Sequence, residues 1–168
     1  MNTVQLTLLS LTWSVIVGVL IGVWSGRNRS KWQDYTGMTV AVSGISMPSF
    51  WIGFMLIMIF SVKFRLFPTT GAGSFKNLVL HSITLGVSIA AIIARFTRSS
   101  VIEVLKEDYI RTARAKGLKE RAVIWKHVFR NCMISVVTVV GLQFGYLLGG
   151  AVVTETVFAF PGLGSLLI

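Results

Sequence analysis

The chain has 168 residues, 54% of them apolar and only 13% charged, far below the roughly one quarter typical of a soluble domain. Its formal net charge of +10 would suit a nucleic-acid binder, but the basic residues sit in short blocks between apolar runs of membrane-spanning length, which excludes nucleic acid as the partner. The single cysteine, Cys132, excludes an internal disulfide, has no partner for a cysteine metal site, and reads as a small apolar filler.

The first apolar run covers 3–24, enough to cross a hydrocarbon core of about 30 Å at about 1.5 Å per residue. No Lys or Arg precedes Arg27, so the run lacks the basic start of a signal peptide. Arg27, Arg29 and Lys31 follow it and mark its inner end by the positive-inside rule. A chain that begins with an outside-to-inside span is expected to have another helix before it in a longer protein. A short cytoplasmic link closes at 34–37. The second run, 38–62, contains Ser46-Met47-Pro48-Ser49-Phe50-Trp51. Proline inside a span removes a backbone donor and clashes with the preceding turn, so the helix should kink or begin anew there. A bare kink is the plain reading, and contact of Ser46 and Pro48 with a transported substrate is the sharper one.

The link 63–76 is rich in turn residues, with Pro68 and Gly71-Ala72-Gly73, and carries Lys63, Arg65 and Lys76. The third run covers 78–94, and His81 near its outer end reads as an interfacial hydrogen-bonding residue rather than a metal ligand. Residues 95–130 then hold ten of the sixteen basic and four of the six acidic residues, the one large water-facing stretch. Val101, Leu105, Tyr109 and Ala113 recur every fourth residue and predict one helix face, with Glu107 and Arg111 as an i, i+4 ion pair. Gly117 is a natural helix end, and a second helical segment is expected over 119–129. This helix, glycine corner and helix should project Ala113, Arg114, Ala115 and Lys116 into the cytoplasm. It suits either a docking knob for a soluble partner or a basic loop lying on anionic lipid.

The fourth run, 134–153, places Gly141, Gly145 and Gly149 on one helix face, a pattern that predicts tight packing against another helix. Glu155, just past the outer end of this run, is the only acidic residue outside the cytoplasmic links and reads as a pathway group or as a hydrated one. Pro161-Gly162-Leu163-Gly164 reads as a re-entry turn before the start of another apolar run at 163–168. Thirteen basic residues fall on one side of the membrane and three on the other, so the spans alternate from an outside-to-inside first helix. The fold class is therefore an all-α polytopic transmembrane helical bundle in a lipid bilayer, with 1–168 forming one partial domain and 95–130 its cytoplasmic loop. No Gly-rich phosphate loop with lysine and no catalytic base arrangement is present, so the chain reads as a non-enzyme without its own ATPase site. No metal site is expected either.

Several stretches carry a family resemblance. Ala94-Arg95-Phe96-Thr97-Arg98-Ser99-Ser100, then Asp108 to Leu118 and Lys126 to Asn131, resemble the cytoplasmic loop of ABC-importer permeases of the dipeptide, oligopeptide and nickel class. Asn2 to Leu6, Ser46 to Trp51 and Glu155 to Gly164 are similar to the same family, so the likeness covers nearly the whole chain in order. The resemblance implies the MetI-like permease fold, without the family's first and last transmembrane helices, in a bacterial or archaeal cytoplasmic membrane. It implies a pathway for peptides or for nickel and metal chelates. The implied partners are a paralogous permease subunit, two ABC ATPase subunits that bind the ATP and Mg, and an extracytoplasmic substrate-binding protein. No cofactor is implied on this chain itself. Arg111-Thr112-Ala113 stands at the position of the family's EAA motif and Gly117 at its glycine, so 111–118 is implied as the ATPase-coupling element. The acidic first residue of that motif is absent. Ser135 and His81 stand where the family often has proline, which puts local helix geometry there in question. The alternatives are a non-transporting membrane scaffold, an inactive truncated permease, or an ion-driven carrier, the last disfavoured by the lack of ionisable relays within the spans.

Overall fold

The structure, a computed structural model, describes residues 2–68 and 75–150. Helix α1 (Asn2–Arg27) is an unbroken apolar rod, as expected from 26 residues without proline. Helix α2 (Trp32–Ser46) starts earlier than the apolar run, so 34–37 is helix rather than link. It stops at Met47, whose extended backbone (φ −92°, ψ 129°) is the conformation that a following proline imposes. Pro48 then opens α3 (Ser49–Leu56), which runs on as a wider π turn, Ile57–Lys63. The two halves meet at 100°, so the second span begins anew at Pro48 rather than kinking.

Helix α4 (Phe75–Val104) is 30 residues long and passes through Arg95 and Arg98 without a break. Charge ends the apolar run but not the helix, so 95–104 belongs to this rod and not to a loop. His81 is fully buried within α4. Helix α5 (Asp108–Ala115) follows a turn at 105–107. Helix α6 (Glu120–Ala122) leads through a π turn, Val123–Val128, into α7 (Phe129–Gly150). The expected second loop helix and the fourth span are thus one rod, Glu120–Leu147, and Ser135 leaves it unbroken. Val123 and Val128, five residues apart, are both buried, which matches the longer repeat of a π turn. Among the described residues there are no strands, and three helices are long and apolar enough to cross a membrane, or four if α2 and α3 count as one broken span.

The packing centre is the α1–α4 pair. A Cβ on Gly18 would lie 2.7 Å from the Ala90 carbonyl, one on Gly22 2.7 Å from that of Ala94, and one on Gly26 3.2 Å from that of Arg98. Each step of four along α1 meets a step of four along α4, so the two helices run parallel with their backbones in contact. Polar groups bind the same seam: Ser14 Oγ donates to the Gly86 carbonyl at 2.8 Å and Trp13 Nε1 to that of Ser82 at 3.1 Å. Helix α2 runs the opposite way along α4, with Ser88 Oγ donating to the Gly44 carbonyl at 3.3 Å near one end and Arg98 meeting Asp34 at the other. Helix α7 runs antiparallel to α4: its entry, Val123–Val128, shares a core with Val101, while Gln143 and Leu147 line a cavity with Leu85 and Ile89. These directions match the alternation expected from charge.

The glycine face of α7 behaves differently. Cβ positions on Gly141 and Gly145 meet nothing within 4 Å, so no close helix contact is made there by the described chain. The surroundings of Gly149, and all of Glu155 and 163–168, lie outside the described residues.

Candidate coupling site

The cytoplasmic end of α4 carries Val101, fully buried, toward α5. The chain leaves helix geometry at 105–107 through tight turns, with Lys106 N–H donating to the Glu103 carbonyl at 3.0 Å and Glu107 N–H to that of Val104 at 3.1 Å. Glu107 is extended (φ −65°, ψ 144°) and stands before the first turn of α5. This break divides the expected Val101–Ala113 stripe between two helices and removes Glu107 from ion-pair reach along α5. The pair actually formed is Arg111–Asp108 at 3.7 Å, both side chains almost fully exposed, and it contributes little.

Helix α5 is held by two residues on one face. Ile110 is fully buried and Ala113, three residues on, is 6% exposed; both join a core with Val101, Val123, Ile124 and Val128. Ala113 therefore points inward, not into the cytoplasm. The opposite face is open, presenting Arg111, Thr112, Ala115 and Lys116, with Leu118 just beyond the end.

The end of α5 is a complete Schellman turn. Gly117 adopts φ +77°, its N–H donates to the Arg114 carbonyl at 2.9 Å, and Leu118 N–H donates to the Ala113 carbonyl at 3.3 Å. Nothing lies within 4 Å of a Cβ on Gly117, so only its left-handed backbone requires glycine. Arg114 turns back across this corner and donates to Glu120 through Nη2 at 2.8 Å and Nε at 3.2 Å. Hydrogen bonding to Glu120 raises the pKa of the Arg114 guanidinium above its ordinary value. The corner is thus clamped at both ends and open at its tip.

A second ion pair lies beside this element. Asp34, 3% exposed, accepts from Arg98 Nε at 2.5 Å and Nη2 at 2.7 Å, and from the Ser30 N–H at 3.0 Å. It joins the start of α2 to α4 one helical turn before Val101. The pair borders an open cavity of about 790 Å³ that runs along α2 to Ser46 and Met47. Ser46 Oγ donates to its own helix at the Val42 carbonyl (3.0 Å), and Pro48 is exposed at the break. Neither the Asp34–Arg98 pair nor the Gly18-Gly22-Gly26 stripe is among the sequence-derived site residues. The stripe has the same spacing as Gly141-Gly145-Gly149, which could have revealed it. Among the described residues no group of three or more His, Cys, Asp or Glu could hold a metal ion.

Residues 18–168 match the family model described as binding-protein-dependent transport system inner membrane component. The chain is also 53% identical over 168 residues to the glutathione transport system permease protein GsiC of Escherichia coli (strain K12), covering 100% of this chain and 55% of the relative. Proteins of the same name from Shigella boydii serotype 4 (strain Sb227) and Shigella dysenteriae serotype 1 (strain Sd197) give the same identity and coverage. The chain spans about half the length of the curated relatives it matches.

Proposed function

The chain belongs to the family of binding-protein-dependent transport system inner membrane components, multi-pass proteins of the inner membrane, and we propose that it is part of a permease subunit of an ATP-driven importer of small peptides. The partners are a paralogous permease, two ATPase subunits that bind and hydrolyse ATP with Mg, and a substrate-binding protein on the outer side. Relatives named for glutathione transport support a small peptide as cargo ahead of nickel or a metal chelate.

One observation carries the coupling role. The α5–Gly117 corner offers an open face of Arg111, Thr112, Ala115, Lys116 and Leu118, while Ile110 and Ala113 root it in the core shared by α4 and α7. A partner that grips the open face pulls on two spans at once. ATP binding closes the ATPases, the corner moves with them, and α4 and α7 tilt so that the pathway changes the side to which it opens. The Pro48 break, with Ser46 beside it, and Glu155 belong to that pathway in this reading, and the open Gly141–Gly145 face packs on the paralogous permease.

The test uses the full-length subunit assembled with its partners. Gly117→Leu should insert and assemble normally yet lose substrate-stimulated ATP hydrolysis. Full stimulation in that variant overturns the proposal, as does purification of the intact protein without any ATPase bound.

A further inference from the structure

Within the apolar bundle, four neutral hydrogen-bonding side chains meet at one cavity of about 290 Å³. Ser49 comes from the first turn of α3, Ser88 from the middle of α4, and Gln143 and Tyr146 from α7. Leu85 and Ile89 complete the wall. The cavity opens beside the Pro48 break, and irregular backbone at membrane depth is tolerated where it is buried or lines a polar space.

The polar groups are not used up by the fold. Ser88 Oγ reaches the Gly44 carbonyl at 3.3 Å, a long bond, while the side chains of Ser49, Gln143 and Tyr146 make no hydrogen bond to any other described residue. Ser49 and Gln143 are half-buried, where a polar group among apolar helices is costly unless something satisfies it, while Tyr146 stands at the rim, 68% exposed. These three lie on two different helices and converge on one space, so a single bound molecule can satisfy them together. Among the described residues no Asp, Glu, Lys, Arg or His lines the cavity, so recognition there works through dipoles rather than charge. The Gln143 carboxamide offers a donor and an acceptor side by side, the same pair that a peptide group presents, and two hydroxyls flank it.

We propose that this cavity is a substrate-contact site inside the membrane, taking the backbone amide groups of a short peptide through Gln143, Ser49 and Tyr146. The proposal rests on the transport reading above and adds the residues and the chemistry of contact. Such a site selects for peptide groups and is indifferent to side-chain charge.

The test uses the complete transporter, reconstituted with its binding protein, with radiolabelled glutathione and trialanine as probes. Gln143→Leu should lower uptake of both by about tenfold, the loss expected for one hydrogen bond left unmade, while binding-protein-stimulated ATP hydrolysis persists. Gln143→Asn should recover part of the uptake, and Ser49→Ala and Tyr146→Phe should lower it by smaller factors. Unchanged uptake in Gln143→Leu overturns the site and leaves the transport reading standing. Loss of the paralogous permease from the purified Gln143→Leu complex also overturns it, since the face is then a subunit interface. If the unmodified assembly takes up neither probe, the transport reading falls and the site with it.

Discussion

Arg98 holds Asp34 with both arms of its guanidinium, at 2.5 and 2.7 Å, across 64 residues of sequence. The carboxylate is buried, and among the described residues its only other donor is the Ser30 N–H, from a residue in the left-handed region at φ 62°. One pair therefore sets the loop after α1, the first turn of α2 and the inner half of α4.

Removing one partner leaves the other charge stranded. Arg98→Ala is expected to lower the stability of the protein by about 3 kcal/mol, because Asp34 stays buried without its cation. The neutral pair Asp34→Asn with Arg98→Gln should recover much of that loss. Thermal unfolding in detergent for the single and double variants gives the coupling, and simple additivity of the single effects contradicts this account.

Two glycine stripes of identical spacing should respond in opposite ways. Gly22→Leu would force a side chain against Thr97 and the Ala94 carbonyl, at 2.5 and 2.7 Å from Cβ, and should cost about 3 kcal/mol. Gly141→Leu enters open space in this chain and should leave the thermal stability of the isolated chain unchanged. Equal losses in the two variants would remove the distinction.

At the corner, Gly117→Ala is expected to cost about 1 kcal/mol from backbone strain alone, since no neighbour meets the new methyl group. Gly117→Asn should cost less, because asparagine tolerates the left-handed region better. Hydrogen exchange at the amides of Gly117 and Leu118 reads the effect locally, and no change in their protection in Gly117→Ala counts against it.

The anchor and the clamp differ in size. Ile110→Ala should cost about 3 kcal/mol and loosen α5 from the bundle. Arg114→Ala should cost at most about 1 kcal/mol, fading with added salt, because both partners of the pair are nearly half exposed. A larger loss for Arg114→Ala than for Ile110→Ala reverses the assignment of which residue holds the corner.

Much of this architecture is local and readable along the chain. Pro48 announces a break because proline constrains the residue before it, and Gly117 announces a helix end because few other residues accept its backbone conformation. The rest depends on what lies across the bundle. Periodicity could not separate Gly18-Gly22-Gly26 from Gly141-Gly145-Gly149, since spacing describes a face and not what covers it. The run from Arg95 to Val104 looks like a loop by charge, yet it stays helical because Thr97, Ser100 and Val101 are buried on one side and Arg98 has Asp34. The four polar residues of the membrane cavity are scattered over Ser49, Ser88, Gln143 and Tyr146, and no spacing in the sequence joins them.

The length of α4 has a mechanical consequence. Thirty residues in one helix make a shaft of about 45 Å, and α1 is locked to it in parallel at three glycine contacts. The two cannot slide past each other without lifting a carbonyl over a Cα, so a load on one is carried by both. Even a few degrees of tilt in a shaft of that length displaces its tip by ångströms relative to its base. The α2–α3 corner at Pro48 is the part left to yield around it.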